Sequence, residues 1–130
     1  MAITTTSQIL TDGYRRAVMQ FTGVCDGAGQ ETNEHKVIVS ALNPPCLRVA
    51  ITLIEYNISG GIVRILWDDD DPIEVLDLSD LGNELDYRQM GGMQSIASLN
   101  ASGDVLFSTV GFDSGSAYTI KIDLLKKYAL

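Results

Sequence analysis

The stretch LRVAITLIEYNISGGIVRILW, residues 47–67, decides the fold prediction. Its two halves, 47–58 and 61–67, are rich in β-branched and other apolar residues, which favour extended strands. The SGG between the halves is typical of a tight turn, because glycine adopts positive φ angles without steric cost. We therefore predict two strands joined by a hairpin.

Similar strand-like runs lie on both sides of this segment, and clusters of glycine, proline, asparagine and aspartate separate them. These runs cover 14–24, 34–42, 73–78, 104–112 and 117–128. A spacing of about 8–14 residues is expected for an antiparallel sandwich or barrel. Helical patterns are weak: leucines recur at helical spacing in 77–90, but Gly82 interrupts them, so we expect at most a short helix or turn there. A helical tail over 122–128 remains an alternative to a strand.

The chain shows no internal repeat and no linker, so residues 1–130 are predicted to form one domain. We predict an all-β fold, a single-domain antiparallel β-sandwich of the jelly-roll type, with a barrel as the alternative. Residues 1–10 are threonine-rich, and their β-branched side chains favour an extended N-terminal arm.

Composition excludes several classes of function. The chain carries 17 acidic and 9 basic side chains, a net charge of −8. This balance repels phosphate backbones and argues against nucleic-acid binding. No window reaches the roughly 18 apolar residues of a membrane helix, and the N-terminus lacks the pattern of a signal peptide. Cys25 and Cys46 are accordingly expected to be reduced thiols of a protein made in the cytosol.

The segment ILWDDDDPI, residues 65–73, contains the only tryptophan and four consecutive aspartates. Counted from Asp68, the sixth and twelfth positions of a calcium-binding EF-hand loop would be Ile73 and Ser79, where the motif needs glycine and glutamate. The motif is therefore absent. We interpret Asp68–Asp71 as a solvated hairpin loop whose like charges discourage strand pairing. A calcium site using Asp68 and Asp70 remains an alternative.

Other catalytic or cofactor motifs are missing. His35 is the only histidine, and the cysteines show no CxxC spacing, so no zinc motif is present. The glycines of CDGAGQE lack the third glycine of a dinucleotide fingerprint, and no GK[ST] occurs. We expect neither a cofactor nor catalytic residues, and hence a protein that is not an enzyme.

Four blocks carry a family resemblance: DGYRRAVMQFTGVCDGAGQET, VIVSAL, RVAITLIEYNISGGIVRILWD and YTIKIDLLKKY. In order and spacing they resemble a group of small virion structural proteins of tailed bacteriophages, over roughly residues 10–128. The resemblance implies a capsid decoration (cement) protein, a compact β-domain without catalytic residues that stabilises capsomer junctions on the outer head. It also implies the major capsid protein as partner, a homo-oligomer with a trimer favoured, and location in the virion. The aspartate run matches none of these blocks.

Two other functions remain open. One is a head–tail connector or tail structural protein. The other is a calcium- or carbohydrate-binding β-module with Trp67 and the aspartate run at its site. For the capsid role, the candidate interface residues are the arm, the tryptophan and the apolar residues of a glycine-containing loop. They are Ile3, Thr4, Thr5, Trp67, Met90, Met93 and Ile96. For the methionines, packing into the core is an equally weighted alternative.

Overall fold

The computed structural model describes residues 3–26, 30–96 and 101–128, and these form the all-β antiparallel fold that the sequence predicts. The strands are β1 (Ile3–Asp12), β2 (Arg16–Cys25), β3 (Glu34–Val37), β4 (Arg48–Trp67), β5 (Ile73–Asp86), β6 (Val105–Val110) and β7 (Ala117–Lys127). Two short 3₁₀ helices, Val39–Ala41 and Arg88–Met90, follow β3 and β5. In the described ranges, no helix is long and apolar enough to cross a bilayer.

All seven strands belong to one sheet in the order β1-β2-β7-β4-β6-β3, with β5 paired to β4. The sheet is nearly closed into a barrel, so the barrel alternative describes it better than two separate layers. Strand β4 organises this architecture. Its first half pairs with β7, its second half pairs with β6, and β5 accompanies both halves.

The predicted hairpin at SGG is wrong, because β4 runs through it as one strand of 20 residues. The register of β4 against β5 shifts between Ile58 and Ile62. Gly60 there has a φ of +87°, and a Cβ on Gly61 would lie 2.3 Å from the ring of Phe112. Glycine is needed here for a bulge that redirects the strand, rather than for a turn that reverses it. The chain thereby passes from its β7 pairing to its β6 pairing.

Both segments for which the sequence left a helical option are mostly strand, because neighbouring strands pair with them. Strand β5 continues to Asp86 because it pairs with β4 along its length, and only the 3₁₀ turn Arg88–Met90 follows. The C-terminal segment 122–128 lies mostly in β7, which is paired with both β2 and β4. Pairing on both edges of β7 leaves no place for a helical tail.

The predicted N-terminal arm is part of the sheet in the described residues. From Ile3 opposite Cys25 to Asp12 opposite Ala17, β1 pairs with β2. The same β-branched threonines that indicated an extended arm suit a strand on the edge of a sheet. Met1 and Ala2 lie outside the described residues.

Aromatic rings fill the centre of the barrel. Phe107 meets Phe21 edge to face with ring centroids 5.2 Å apart, and Tyr118 makes similar contacts with Phe107 and Phe112. The four rings are at most 2% exposed. Both cysteines are buried. These ring contacts, together with the aliphatic side chains around them, form a tightly packed core.

A groove of about 420 Å³ marks the incomplete closure of the barrel. Strands β1 and β3, the two ends of the strand order, both contribute to its lining. The lining residues are Ser7, Ile9, Met19, Lys36, Ile38, Ala41 and Leu42.

Candidate functional site

Two features stand out as candidate sites: a cluster of acidic and imidazole side chains at one end of the barrel, and the groove beside the edge strand β1. The cluster contains His35, Asp68 and Asp104. His35 belongs to β3, Asp68 directly follows β4, and Asp104 directly precedes β6. Because β4, β6 and β3 are neighbours in the sheet, the ends of these strands bring the three side chains together.

Asp104 lies at the centre of this cluster. Its Oδ2 is 2.8 Å from His35 Nδ1, and its Oδ1 accepts a 3.0 Å hydrogen bond from the Val39 N–H. The Asp104 side chain is 9% exposed, whereas the His35 side chain is 46% exposed. The cluster thus has a buried floor and a side that is open to solvent.

Asp68 is held beside Asp104 by backbone and side-chain contacts. Its N–H donates a 3.1 Å hydrogen bond to the Asp104 carbonyl oxygen. The Ser102 hydroxyl contacts Asp68 Oδ2 and accepts a 3.1 Å hydrogen bond from the Asp104 N–H. Ser102 therefore connects the two aspartates and fixes the Asp68 carboxylate.

The aspartates of this cluster differ in their ion-pair partners from the other buried or partly buried acidic residues that form ion pairs. Three of those have a permanent cation as partner: Glu31 with Lys36, Asp123 with Arg16, and Asp12 with Lys126. Asp104, by contrast, forms its ion pair with His35, which is charged only when protonated. In the part of the chain that the structure describes, neither Asp68 nor Asp104 is paired with a lysine or arginine.

The structure divides the aspartate run into two parts. Residues 68–72 connect β4 to β5, with Trp67 opposite Ile73, so the predicted hairpin loop is correct. Asp70 is exposed, and its N–H bonds to the Asp69 side chain. Of the two proposed calcium ligands, only Asp68 joins the cluster, and Asp70 lies outside it.

Sequence reasoning missed Asp104 and the role of His35. These residues are 69 positions apart, and only the pairing of β3 with β6 brings them together. The available signal was weak: a lone histidine in one strand-like run and an aspartate at the start of another. Neither is informative until the strand order is known.

The interface candidates fall into different environments. Trp67 is 3% exposed and packs in the core at the end of β4, so its side chain offers little surface to a partner. Met93 is partly buried against the core, which matches the packing alternative. Met90 and Ile96 are 68% and 72% exposed. Thr4 and Thr5 are exposed on β1, and the side chain of Ile3 lies outside the described part of the structure.

The groove forms the second candidate site. Ile9 of β1 is 46% exposed and Ile38 on the opposite wall is 41% exposed, so apolar surface is accessible on both sides. Strand β1 ends the strand order, and its outer edge pairs with no strand in the described ranges. An open strand edge beside an apolar groove offers both backbone hydrogen bonds and apolar contact to a partner.

Comparisons with known proteins identify no relative. No family model matches the chain, and a search of curated proteins gives no significant match.

Proposed function

We propose that this chain is a non-enzymatic structural protein of the bacteriophage virion, a decoration protein that binds the major capsid protein on the outer head and stabilises capsomer junctions. The observation that carries the proposal is the open edge of β1 beside the apolar groove. The resemblance of the sequence blocks to small virion structural proteins supports it independently.

The edge of β1 suits attachment to a preassembled shell. Strand β1 is 10 residues long, and its outer edge, which pairs with no other described strand, presents the backbone donors and acceptors of alternate residues. A partner strand could add to such an edge, with main-chain hydrogen bonds for affinity and side-chain pockets for specificity. Ile9 and Ile38 would supply apolar contact in the adjoining groove.

Other exposed apolar residues support an oligomer. Met90 and Ile96 lie at or beyond the end of the 3₁₀ turn after β5 and project from the surface. Burial of such residues between protomers would contribute to a homotrimer, in which each interface needs about 800 Å² per partner. The net charge of −8 suits an outer surface that does not bind packaged nucleic acid.

The test is addition of purified protein to undecorated phage heads, followed by electron cryomicroscopy. We expect ordered density on the outside of the capsid, with three copies at each bound position. Absence of that density would contradict the proposal. A ring of about six or twelve protomers at the neck would instead favour a head–tail connector.

Paired variants test the docking surface. Ile9→Lys places a charge in the groove and is expected to weaken head binding by at least about tenfold, because apolar area is lost and a charge is desolvated. Val110→Lys is the matched control, since Val110 is 41% exposed but does not line the groove. Equal binding by Ile9→Lys and the wild type would exclude the groove as the docking surface.

A further inference from the structure

We infer that His35, Asp68 and Asp104 form a binding site for a divalent first-row transition-metal ion of the zinc class. This site is independent of the capsid role, and its ligands come from three neighbouring strands that meet at one end of the barrel. Four observations support it: ligand spacing, charge balance, supporting hydrogen bonds and ligand chemistry.

The spacing of the ligand atoms is close to that of a metal centre. One ligand atom from each of the three residues lies within 4.8 Å of the other two. In the tetrahedral arrangement usual for zinc, bonds of about 2.0–2.2 Å place ligand atoms about 3.3–3.6 Å apart. His35 Nδ1 and Asp104 Oδ2, which are 2.8 Å apart, would separate slightly, and Asp68 would move closer to them. The half-exposed His35 ring and the loop position of Asp68 allow such an adjustment.

The negative charges of Asp68 and Asp104 also favour a bound cation. Two carboxylates meet here, and Asp104 is more than nine-tenths buried. A buried carboxylate is stable when it is paired, and elsewhere in the described barrel lysine or arginine fulfils this role. A divalent ion would neutralise both aspartates and leave His35 as a neutral ligand, so it would act as the permanent cation that no lysine or arginine among the described residues provides at this cluster.

Supporting hydrogen bonds orient both carboxylates. The Val39 N–H holds Asp104 Oδ1, and the Ser102 hydroxyl holds Asp68 Oδ2. The other oxygen of Asp104, Oδ2, faces His35 Nδ1. Such supporting partners are characteristic of metal sites, because they fix the ligands before the ion binds.

Ligand chemistry selects the class of ion. Calcium takes six to eight oxygen ligands, whereas one imidazole nitrogen with two carboxylate oxygens suits Zn²⁺ and its neighbours. Three protein ligands leave at least one position for water, on the exposed side of His35.

Calorimetric titration of the wild-type protein with Zn²⁺ alone tests the assignment. We expect one site per chain, and at least a tenfold loss of affinity in both Asp68→Asn and His35→Gln. Asp70→Asn is the matched control, because it removes the same charge from the same loop outside the cluster, and its affinity should equal that of the wild type. Equal losses in Asp68→Asn and Asp70→Asn would show only attraction to the acidic loop and would overturn the proposal.

A second readout reports on the histidine directly. Because His35 is the only histidine, the ¹⁵N signals of its imidazole can be assigned without ambiguity. Zn²⁺ should shift one ring nitrogen strongly at stoichiometric metal. An unchanged imidazole spectrum, or Ca²⁺ binding that equals Zn²⁺ binding and is unaffected by His35→Gln, would overturn the proposal.

Discussion

The hydroxyl of Tyr118 donates a 2.6 Å hydrogen bond to the buried Oε1 of Glu31. The other oxygen of this carboxylate is 2.6 Å from Lys36 Nζ, so Glu31 connects β7 with β3 through the barrel. Burial and the hydrogen bond to Glu31 together raise the pKa of Tyr118 well above its ordinary value. The structure thus holds the neutral phenol as the donor of a charge-assisted hydrogen bond.

Replacement of this donor should destabilise the barrel. Tyr118→Phe keeps the ring but leaves Glu31 Oε1 without its hydrogen bond, so we expect a loss of about 1–3 kcal/mol in the free energy of unfolding. Urea denaturation measures the change. Tyr14→Phe is the control, since Tyr14 is 70% exposed and should change stability little. A loss as large in the control would contradict the role of the Glu31 contact.

The raised pKa of Tyr118 also predicts an alkaline limit to stability. Because the folded state favours the protonated phenol, its contribution is complete below the unfolded pKa of about 10 and declines as the pH rises above it. The stability difference between the wild type and Tyr118→Phe should therefore decrease above pH of about 10. Urea denaturation curves of both proteins, measured from neutral pH to above a pH of about 10, test this prediction. A stability difference that increases with pH would contradict it.

Lys126 connects the last strand to the end of the first. Its side chain is 0% exposed, and its Nζ lies 2.5 Å from Asp12 Oδ1 and 3.0 Å from the Pro44 carbonyl oxygen. Lys126→Met leaves Asp12 without its cation, so a loss of about 3–5 kcal/mol is expected. Thermal unfolding measures this, with the neighbouring Lys127→Met as the control. If both variants melt alike, the ion pair is not the source of the stability.

Gly61 makes room for Phe112 at the bend in β4. A Cβ there would lie 2.3 Å from Phe112 Cδ1, so Gly61→Ala should cost about 1–3 kcal/mol through overpacking. In the control Gly13→Ala, the nearest atom is 3.6 Å away, which is ordinary contact. Chemical denaturation of both variants separates the effects. If Gly61→Ala leaves the free energy of unfolding unchanged, the Phe112 ring moves aside at no cost in stability, which would contradict the prediction.

The exposed ion pair between Asp86 and Arg88 lowers the pKa of the Asp86 carboxyl group. Hydrogen bonds from Arg88 lower the pKa of Asp86 to about 2. A lowered folded pKa stabilises the fold above the unfolded value near 4, and this contribution is lost as the pH falls through about 2. Arg88→Gln should therefore raise the pKa of Asp86 toward about 4 in carboxyl ¹³C NMR titrations. Arg15→Gln is the control and should leave that pKa unchanged.

The sequence predicted the features that depend on local pattern. Period-two apolar runs gave the all-β class, and the aspartate run was correctly interpreted as the β4–β5 hairpin loop. Local pattern could not distinguish a hairpin from a bulge at SGG, because Phe112, about 50 residues later, decides the outcome. The cluster of His35, Asp68 and Asp104 was equally inaccessible, since strand order is a long-range property.

The position of β7 has a consequence for how the protein folds. This strand is the last in the described chain, yet it lies in the middle of the sheet, between β2 and β4. Before residues 117–127 emerge from the ribosome, β1–β2 and β4–β5–β6 are two separate pieces whose facing edges are exposed. Pairing across such long loops is slow, and exposed edges promote aggregation in the meantime. The barrel therefore forms only after residues 117–127 have emerged, and the exposed edges of the earlier strands would need protection until then.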